Sequence, residues 1–514
     1  MPLLLYIFLL PNSCSKSLES LMMYSLSIKV DDVISFTQKN YDILLLATFS
    51  LALSFFVSKA LRNSGKITST SRESIPGRLG LPFVGETFSF LSACNGTAGC
   101  YDFVRTRRLR YGKWFKTKLF GKVHVFVPTT EGAKQIFTKE FTGFTKGYLK
   151  GMADAVGRKS VFCVSHESHK RVRRLLSDPF SMASLRSYVH KTDRIMSQRL
   201  KDLDVTGKSF SVIDFGLKVT FDSMCNMMVS ITDEKKLREM DRDVATLTQS
   251  MLAVPLMVPG TKYYKGMKAR QRLLAIFRGI IERRRNGEES HDDFLQSMVE
   301  RSSFPASEKL DDEELVDNLL TMLVAGQGTT AATMMWCVKF LDENRDVQDS
   351  LREEQLEISK NKKDDSWLSL EDVYSMTYGW KVVKETLRMA NPVLWFPRRA
   401  LDDCTIGGHE IKKGWNVAID ATHIHFDPDL YKDPTKFNPL RFDEIQQPYS
   451  FIPFASGART CLGMSMARVT LLVFLHRLTS GYRWTVDDLD PSFDKKDFIP
   501  KLKSGCPITL EAIR

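Results

Sequence analysis

Phe454-Ala455-Ser456-Gly457-Ala458-Arg459-Thr460-Cys461-Leu462-Gly463 decides how the rest of this 514-residue chain is read. A cysteine that binds a metal does so as the thiolate, whose charge needs backbone N–H donors and shielding from water. Gly457 and Gly463 are expected to let the main chain curl round the sulfur. The helical pattern from Leu462 to about Leu478 aims the positive end of its dipole at the same atom. A buried cysteine is ordinarily a small apolar filler, but the full F-x-x-G-x-R-x-C-x-G pattern points elsewhere. It suits Cys461 as the axial ligand of a haem iron. Phe454, Gly457 and Gly463 would shape a surface flat enough for a porphyrin, and Arg459 is set to meet a propionate.

Toward the N-terminus, Glu385-Thr386-Leu387-Arg388 puts an acid and a base on one helix face, and Pro439-Leu440-Arg441-Phe442 supplies a second arginine. Alone, each is an ordinary solvated surface feature. Earlier still, Asp311 and Glu314 have the spacing of a capping box. Apolar residues then recur at 315, 316, 319, 320, 323 and 324, and the pattern runs on to about Phe340. Roughly thirty helical residues would span about 45 Å, enough to cross a whole domain. Ala325-Gly326-Gln327-Gly328-Thr329-Thr330 sits in that helix, which gains nothing locally from two glycines and two threonines. A helix opened locally beside a ligand is expected there; a close helix-helix contact is the plainer explanation.

In this order, with the cysteine after them, these elements resemble the E-x-x-R, P-x-R-F and cysteine-loop motifs of cytochromes P-450, and the resemblance covers Pro76 to the C-terminus. It implies a mainly α fold with small β-sheets behind an N-terminal membrane anchor, haem b as cofactor and an NADPH-cytochrome reductase as electron source. It makes Glu385, Arg388 and Arg441 a buried structural network that locks the ligand loop. His169 and Arg173 match the W-x-x-x-R element that grips propionates, with His in place of Trp, and Arg398 matches a further propionate arginine. Thr329 matches the catalytic threonine that helps pass protons to dioxygen. Most family members carry Asp or Glu just before it, where this chain has Gly328, so a water is expected to fill that gap.

Gly80-Leu81-Pro82-Phe83-Val84-Gly85-Glu86-Thr87 and Pro448-Tyr449-Ser450-Phe451-Ile452-Pro453-Phe454 look like the plant clan that oxidises terpenoid hormones. The wording is most similar to carlactonoate oxidases of strigolactone synthesis and next to abscisic acid 8'-hydroxylases, with sterol or brassinosteroid oxidases as the alternative. Such enzymes bind a small apolar substrate, and residues 252–259, 319–324 and 393–396 would offer walls for it. A substrate carboxylate would call for a cation, for which Lys146 and Lys150 are candidates. A haem-thiolate isomerase or dehydratase usually has a disrupted cysteine loop and no helix threonine. A haem sensor would need neither substrate pocket nor Thr329.

Composition agrees. Hydrophobic residues make up 43% and charged residues 26%, the balance of a globular protein. The net charge of +12 comes from dispersed basic residues, which favours an acidic partner or an anionic membrane surface and not nucleic acid. None of the nine cysteines forms a C-x-x-C pair, which argues against zinc and a disulfide framework. His423 and His425 lack a third ligand at metal spacing. Asn95-Gly96-Thr97 is a formal glycosylation sequon without weight in a cytosolic domain. Residues 43–57 are an almost unbroken apolar run followed by Lys59, Arg62 and Lys66, as the positive-inside rule wants of an anchor whose C-terminal flank is cytosolic. The expected organisation is a lead segment (1–40), a transmembrane anchor (41–60), a linker and proline-rich elbow (61–82) and a catalytic domain (83–514). It would sit on the endoplasmic reticulum membrane as a single-pass protein with the catalytic part in the cytosol.

Overall fold

The computed structural model describes residues 75–513 except 95, 97–98, 361, 363–366, 489, 491 and 493–498; before residue 75 it describes only positions 48, 50, 54 and 55. The lead segment and the anchor therefore lie almost wholly outside the described residues, among which no helix is long and apolar enough to cross a membrane.

Eleven strands are described: β1 (Gly77–Arg78), β2 (Phe115–Leu119), β3 (Lys122–Val127), β4 (Phe144–Lys146), β5 (Phe210–Ser211), β6 (Trp395–Ala400), β7 (Cys404–Ile406), β8 (His409–Ile411), β9 (Asn416–Asp420), β10 (Tyr482–Val486) and β11 (Pro507–Ala512). The main sheet has the order β1-β2-β3-β9-β6-β4, and β10-β11-β5 and β7-β8 form two small ones. The alternation of polar and apolar residues from Trp114 to Val127 reads as a hairpin, which is β2-β3, and it turns at Phe120 (φ 49°) and Gly121 (φ 79°). Two successive positive φ values match the right-handed twist of paired strands. Residues 410–420, which read as a small piece of sheet, are divided between two: residues up to Ile411 pair with β7, and β9 joins the main sheet. Residues 77–78 of the elbow pair in parallel with β2, so this part belongs to the sheet.

Most of the described residues are helical. The central helix, Asp312–Glu343, starts with the capping box of Asp311 and Glu314. Leu319, Leu320 and Leu323 point into the core against the helix Val212–Val229 and its neighbours. The helix stays continuous through 325–330, contrary to the expected opening. The reason is local. The hydroxyls of Thr329 and Thr333 donate to the carbonyls of Ala325 (2.9 Å) and Thr329 (2.8 Å), bonds made within the helix. Gly326 faces Met224, whose Cε would lie 3.2 Å from an added Cβ, so this glycine serves a close helix-helix contact.

Candidate active site

The cysteine loop joins a 3₁₀ turn, Gly457–Arg459, to the C-terminal helix Met464–Gly481. The Cys461 N–H donates to the Phe454 carbonyl at 2.9 Å, closing the loop on itself. Left-handed backbone occurs at Ala455 (φ 58°) and Gly457 (φ 72°). A Cβ at Gly457 would lie 2.7 Å from the Phe137 carbonyl oxygen, so both space and conformation demand glycine. Gly463 differs from expectation. Its φ is −83°, and a Cβ there would meet Phe180 and the Cys461 sulfur only at 3.9 and 4.0 Å. What Gly463 supplies is a backbone N–H to the sulfur.

Cys461 opens into a cavity of about 520 Å³ and is enclosed by protein on its other sides. The enclosure raises its thiol above the ordinary range, while the Gly463 N–H and the Arg173 guanidinium act the other way. Coordination deprotonates a thiol outright, so this site favours the thiolate once metal is present. Thr329, Gly328 and Ala325 of the central helix line the same cavity, as do His169, Arg173, Arg398, Arg459, Phe454, Gly463 and residues 393–396. Every expected cofactor-binding residue except Gly457 thus reaches one cavity wall, and Gly457 lies behind the loop against Phe137.

A histidine on a helix this rich in charge reads as exposed. His169 is instead 3% exposed, and burial first, then the neighbouring arginines, lowers its pKa to about 4, which keeps it neutral. Arg173 has no carboxylate partner among the described residues, and burial lowers its pKa. Arg398 and Arg459 both donate Nε–H to Glu140, at 2.5 and 2.9 Å. A cavity with a loop cysteine at one wall and three guanidiniums and a neutral imidazole around it fits the iron and the two acidic side chains of haem b.

The E-x-x-R pair is fully buried on the helix Thr377–Ala390. Arg388 donates Nε–H and Nη2–H to the two Glu385 oxygens, both at 2.8 Å, and Arg441 donates Nε–H to Glu385 at 2.9 Å. Arg388 Nη1 donates to the His425 carbonyl at 2.7 Å. The His425 ring bridges Asn391 Oδ1 (2.6 Å) and the Ile452 N–H (3.0 Å), which assigns its proton to Nδ1. Ile452 lies two residues before Phe454, so the network reaches the ligand loop through a histidine. Burial lowers the His425 pKa to about 3. It is a bridging core histidine, and no cluster of metal-ligating residues is found among the described ones.

Other expectations need correction. Lys146 and Lys150 do not line the cavity; Lys150 is an exposed partner of Asp154. Among the described residues the lysine that does line it is Lys501. Of 252–259 only Leu252 reaches the wall, while Leu256, Met257 and Val258 are more than half exposed. Of 319–324, Thr321, Met322 and Val324 face the cavity and the leucines face the core. Beside Gly328, Ile499 Cδ1 stands 2.9 Å from where a Cβ would be, so an apolar side chain fills the gap expected to hold water. Glu140, His425, Ile499 and Lys501 carried no motif; their spacing from Cys461 has no local regularity.

A cytochrome P450 family profile matches residues 75–504. Abscisic acid 8'-hydroxylase 1 of Arabidopsis thaliana is 29% identical over 469 residues, covering 91% of this chain and 97% of that protein. Cytochrome P450 85A1 of Oryza sativa subsp. japonica is 30% identical, covering 84% and 92%. Among solved structures, retinoic-acid-bound cyanobacterial CYP120A1 superposes with a TM-score of 0.78 at 29% identity over 86% of this chain and all of the other. With this fold, this cysteine loop and a match over most of its length, the chain belongs to the cytochrome P450 family and is a haem-dependent monooxygenase.

Proposed function

We infer that this enzyme oxidises a small apolar terpenoid that carries a carboxylate, such as a carlactonoate-like strigolactone precursor. One observation carries the reading: an apolar cavity holds Cys461, Thr329 and, as the one lysine among the described residues of its wall, Lys501. A lysine beside apolar walls suits a molecule that is greasy over most of its length and anionic at one point. One relative is named for abscisic acid, and the similar solved structure has retinoic acid bound, both molecules of this kind. The named relative cytochrome P450 85A1 supports a second reading, a sterol or brassinosteroid oxidase, for which no cation is needed.

Bound haem supplies the redox chemistry that activates dioxygen. The chain's own groups do the rest. Cys461 would hold the iron through its sulfur, with the Gly463 N–H and the helix dipole stabilising the thiolate. Arg173, Arg398, Arg459 and His169, which line the cavity, would hold the propionates. Thr329 passes protons from the helix side, and Lys501 orients the substrate. Electrons come from an NADPH-cytochrome reductase, and residues 41–60 anchor the protein in the endoplasmic reticulum membrane; the apolar run and its basic flank support this.

The test is turnover in microsomes with reductase and NADPH, offering a terpenoid acid panel, the methyl esters and neutral sterols. The acids should be oxidised in an NADPH-dependent way, and Lys501→Ala should raise KM for the acids at least about tenfold and leave the esters unchanged. Conversion of neutral sterols alone would overturn the carboxylate reading.

A further inference from the structure

Two of the cavity's arginines share one carboxylate. Glu140 stands just beyond the helix Thr130–Thr138, with its side chain 3% exposed. Its Oε2 accepts from Arg398 Nε at 2.5 Å and its Oε1 from Arg459 Nε at 2.9 Å. Each guanidinium thus turns one edge to Glu140. The Nη1 groups donate to backbone carbonyls, of Pro397 at 3.0 Å for Arg398 and of Val161 at 3.3 Å for Arg459. Among the described residues no acceptor meets Nη2 of either arginine, which leaves it for an acceptor from the cavity. The two arginines come from distant parts of the chain, β6 and the cysteine loop, and Glu140 from a third.

Charge supports the same conclusion. Arg173, Arg398 and Arg459 are three cations, His169 is neutral, and Glu140 is one anion. Among these five groups the remainder is two positive charges, which two propionates would balance; Lys146, close enough to act on Arg459, and Lys501 lie outside that count. Without Glu140 a third positive charge would stand uncompensated in a closed site, an expensive arrangement.

We propose that Glu140 is a positioning residue for the haem: it clamps Arg398 and Arg459 in register for the two propionates and trims the site's cationic charge to match them. The proposal rests on Arg398 and Arg459 being propionate ligands. Holoenzyme carrying Glu140→Gln, Glu140→Asp or Arg398→Gln would be compared with wild type for the rate of haem transfer to apomyoglobin and for reduction potential. Glu140→Gln keeps the shape and removes the charge. It should lose haem roughly tenfold faster and shift the potential upward, because a negative charge near the iron has gone. Glu140→Asp, too short to reach both Nε atoms, should lose haem faster with the potential close to wild type. Wild-type haem loss and potential in Glu140→Gln would overturn the clamp, and should that variant not fold, wild-type haem loss in Glu140→Asp would do so. If Arg398→Gln also keeps wild-type haem loss, the propionate assignment has failed; if it loses haem faster while both Glu140 variants do not, only the clamp has failed.

Discussion

Thr329 and Gly328 set the proton question at the active site. The Thr329 hydroxyl donates to the Ala325 carbonyl, which leaves its oxygen as an acceptor at the cavity wall. Thr329→Ala should raise peroxide release per NADPH consumed and slow product formation, within the range of about 10² to 10⁴ that acid-base groups contribute. Full coupling in that variant would sink the relay. Gly328→Asp, which restores the usual family acid, runs into Ile499 at 2.9 Å. It should therefore lower stability by about 1 to 3 kcal/mol, and adding Ile499→Ala should recover part of that; thermal melts of the two variants and their combination decide. Cys461→His should abolish the reduced-CO Soret band typical of thiolate ligation, and retention of that band would refute the ligand assignment. The sequence made Cys461, Arg459 and Thr329 legible because their geometry is local, set by neighbours within a few residues. Glu140 and Lys501 were not legible, since a lone charged residue reads as surface until the fold brings it to a cavity. The same blindness made Lys146 and Lys150 look useful.

Among the elements, the helix Thr377–Ala390 has the tightest link to the ligand loop. Glu385 and Arg388 were readable as an i, i+3 pair, and Arg441 as their family partner, but the bridge from Arg388 through His425 to Ile452 needed coordinates. His425 drew notice in the sequence only as half of a weak metal pair, for the wrong reason. Both E-x-x-R side chains are wholly buried, and removing Arg388 takes the donor from Glu385 Oε2 while Arg441 stays on Oε1, so one buried oxygen is left without its partner. Arg388→Ala should cost about 3 to 5 kcal/mol. Arg441→Ala should cost less, because its side chain is 9% exposed and water can reach Glu385 once it is gone. Denaturant melts of the haem-loaded proteins measure both, and equal losses would show that exposure does not grade this network. The central helix taught the opposite lesson. Its boundaries and caps were readable, whereas its glycines suggested an opening because a contact with Met224, about a hundred residues earlier, has no local signature.

At the scale of the whole molecule, every residue named on the cavity wall lies beyond residue 75. Removing residues 1–74 should therefore release protein partly into the soluble fraction with haem retained, and haem loss would show that the segment takes part in the fold. Acid sensitivity is a second property of the whole. His124, His425 and His476 are buried neutral, and burial, the largest cause at each, lowers their pKa to about 4, 3 and 4. In the unfolded chain they return to about 6.5. Between the folded and unfolded values the unfolded state binds more protons, so stability rises with pH. It is fully present above about pH 6.5 and drains as the pH falls toward 4. At pH 5 each histidine withdraws about 2 kcal/mol relative to pH 7. His425 adds a local consequence. Its Nε2 accepts from the Ile452 N–H, and a protonated ring cannot accept, so acid should loosen the ligand loop along with the fold. The melting temperature of the holoenzyme should fall from pH 7 to pH 5, with faster haem release, and His425→Gln should flatten both slopes while lowering stability at pH 7. A melting temperature unchanged across that range would mean that these rings already carry a proton in the native protein, or that water reaches them, and the network through His425 would need another explanation.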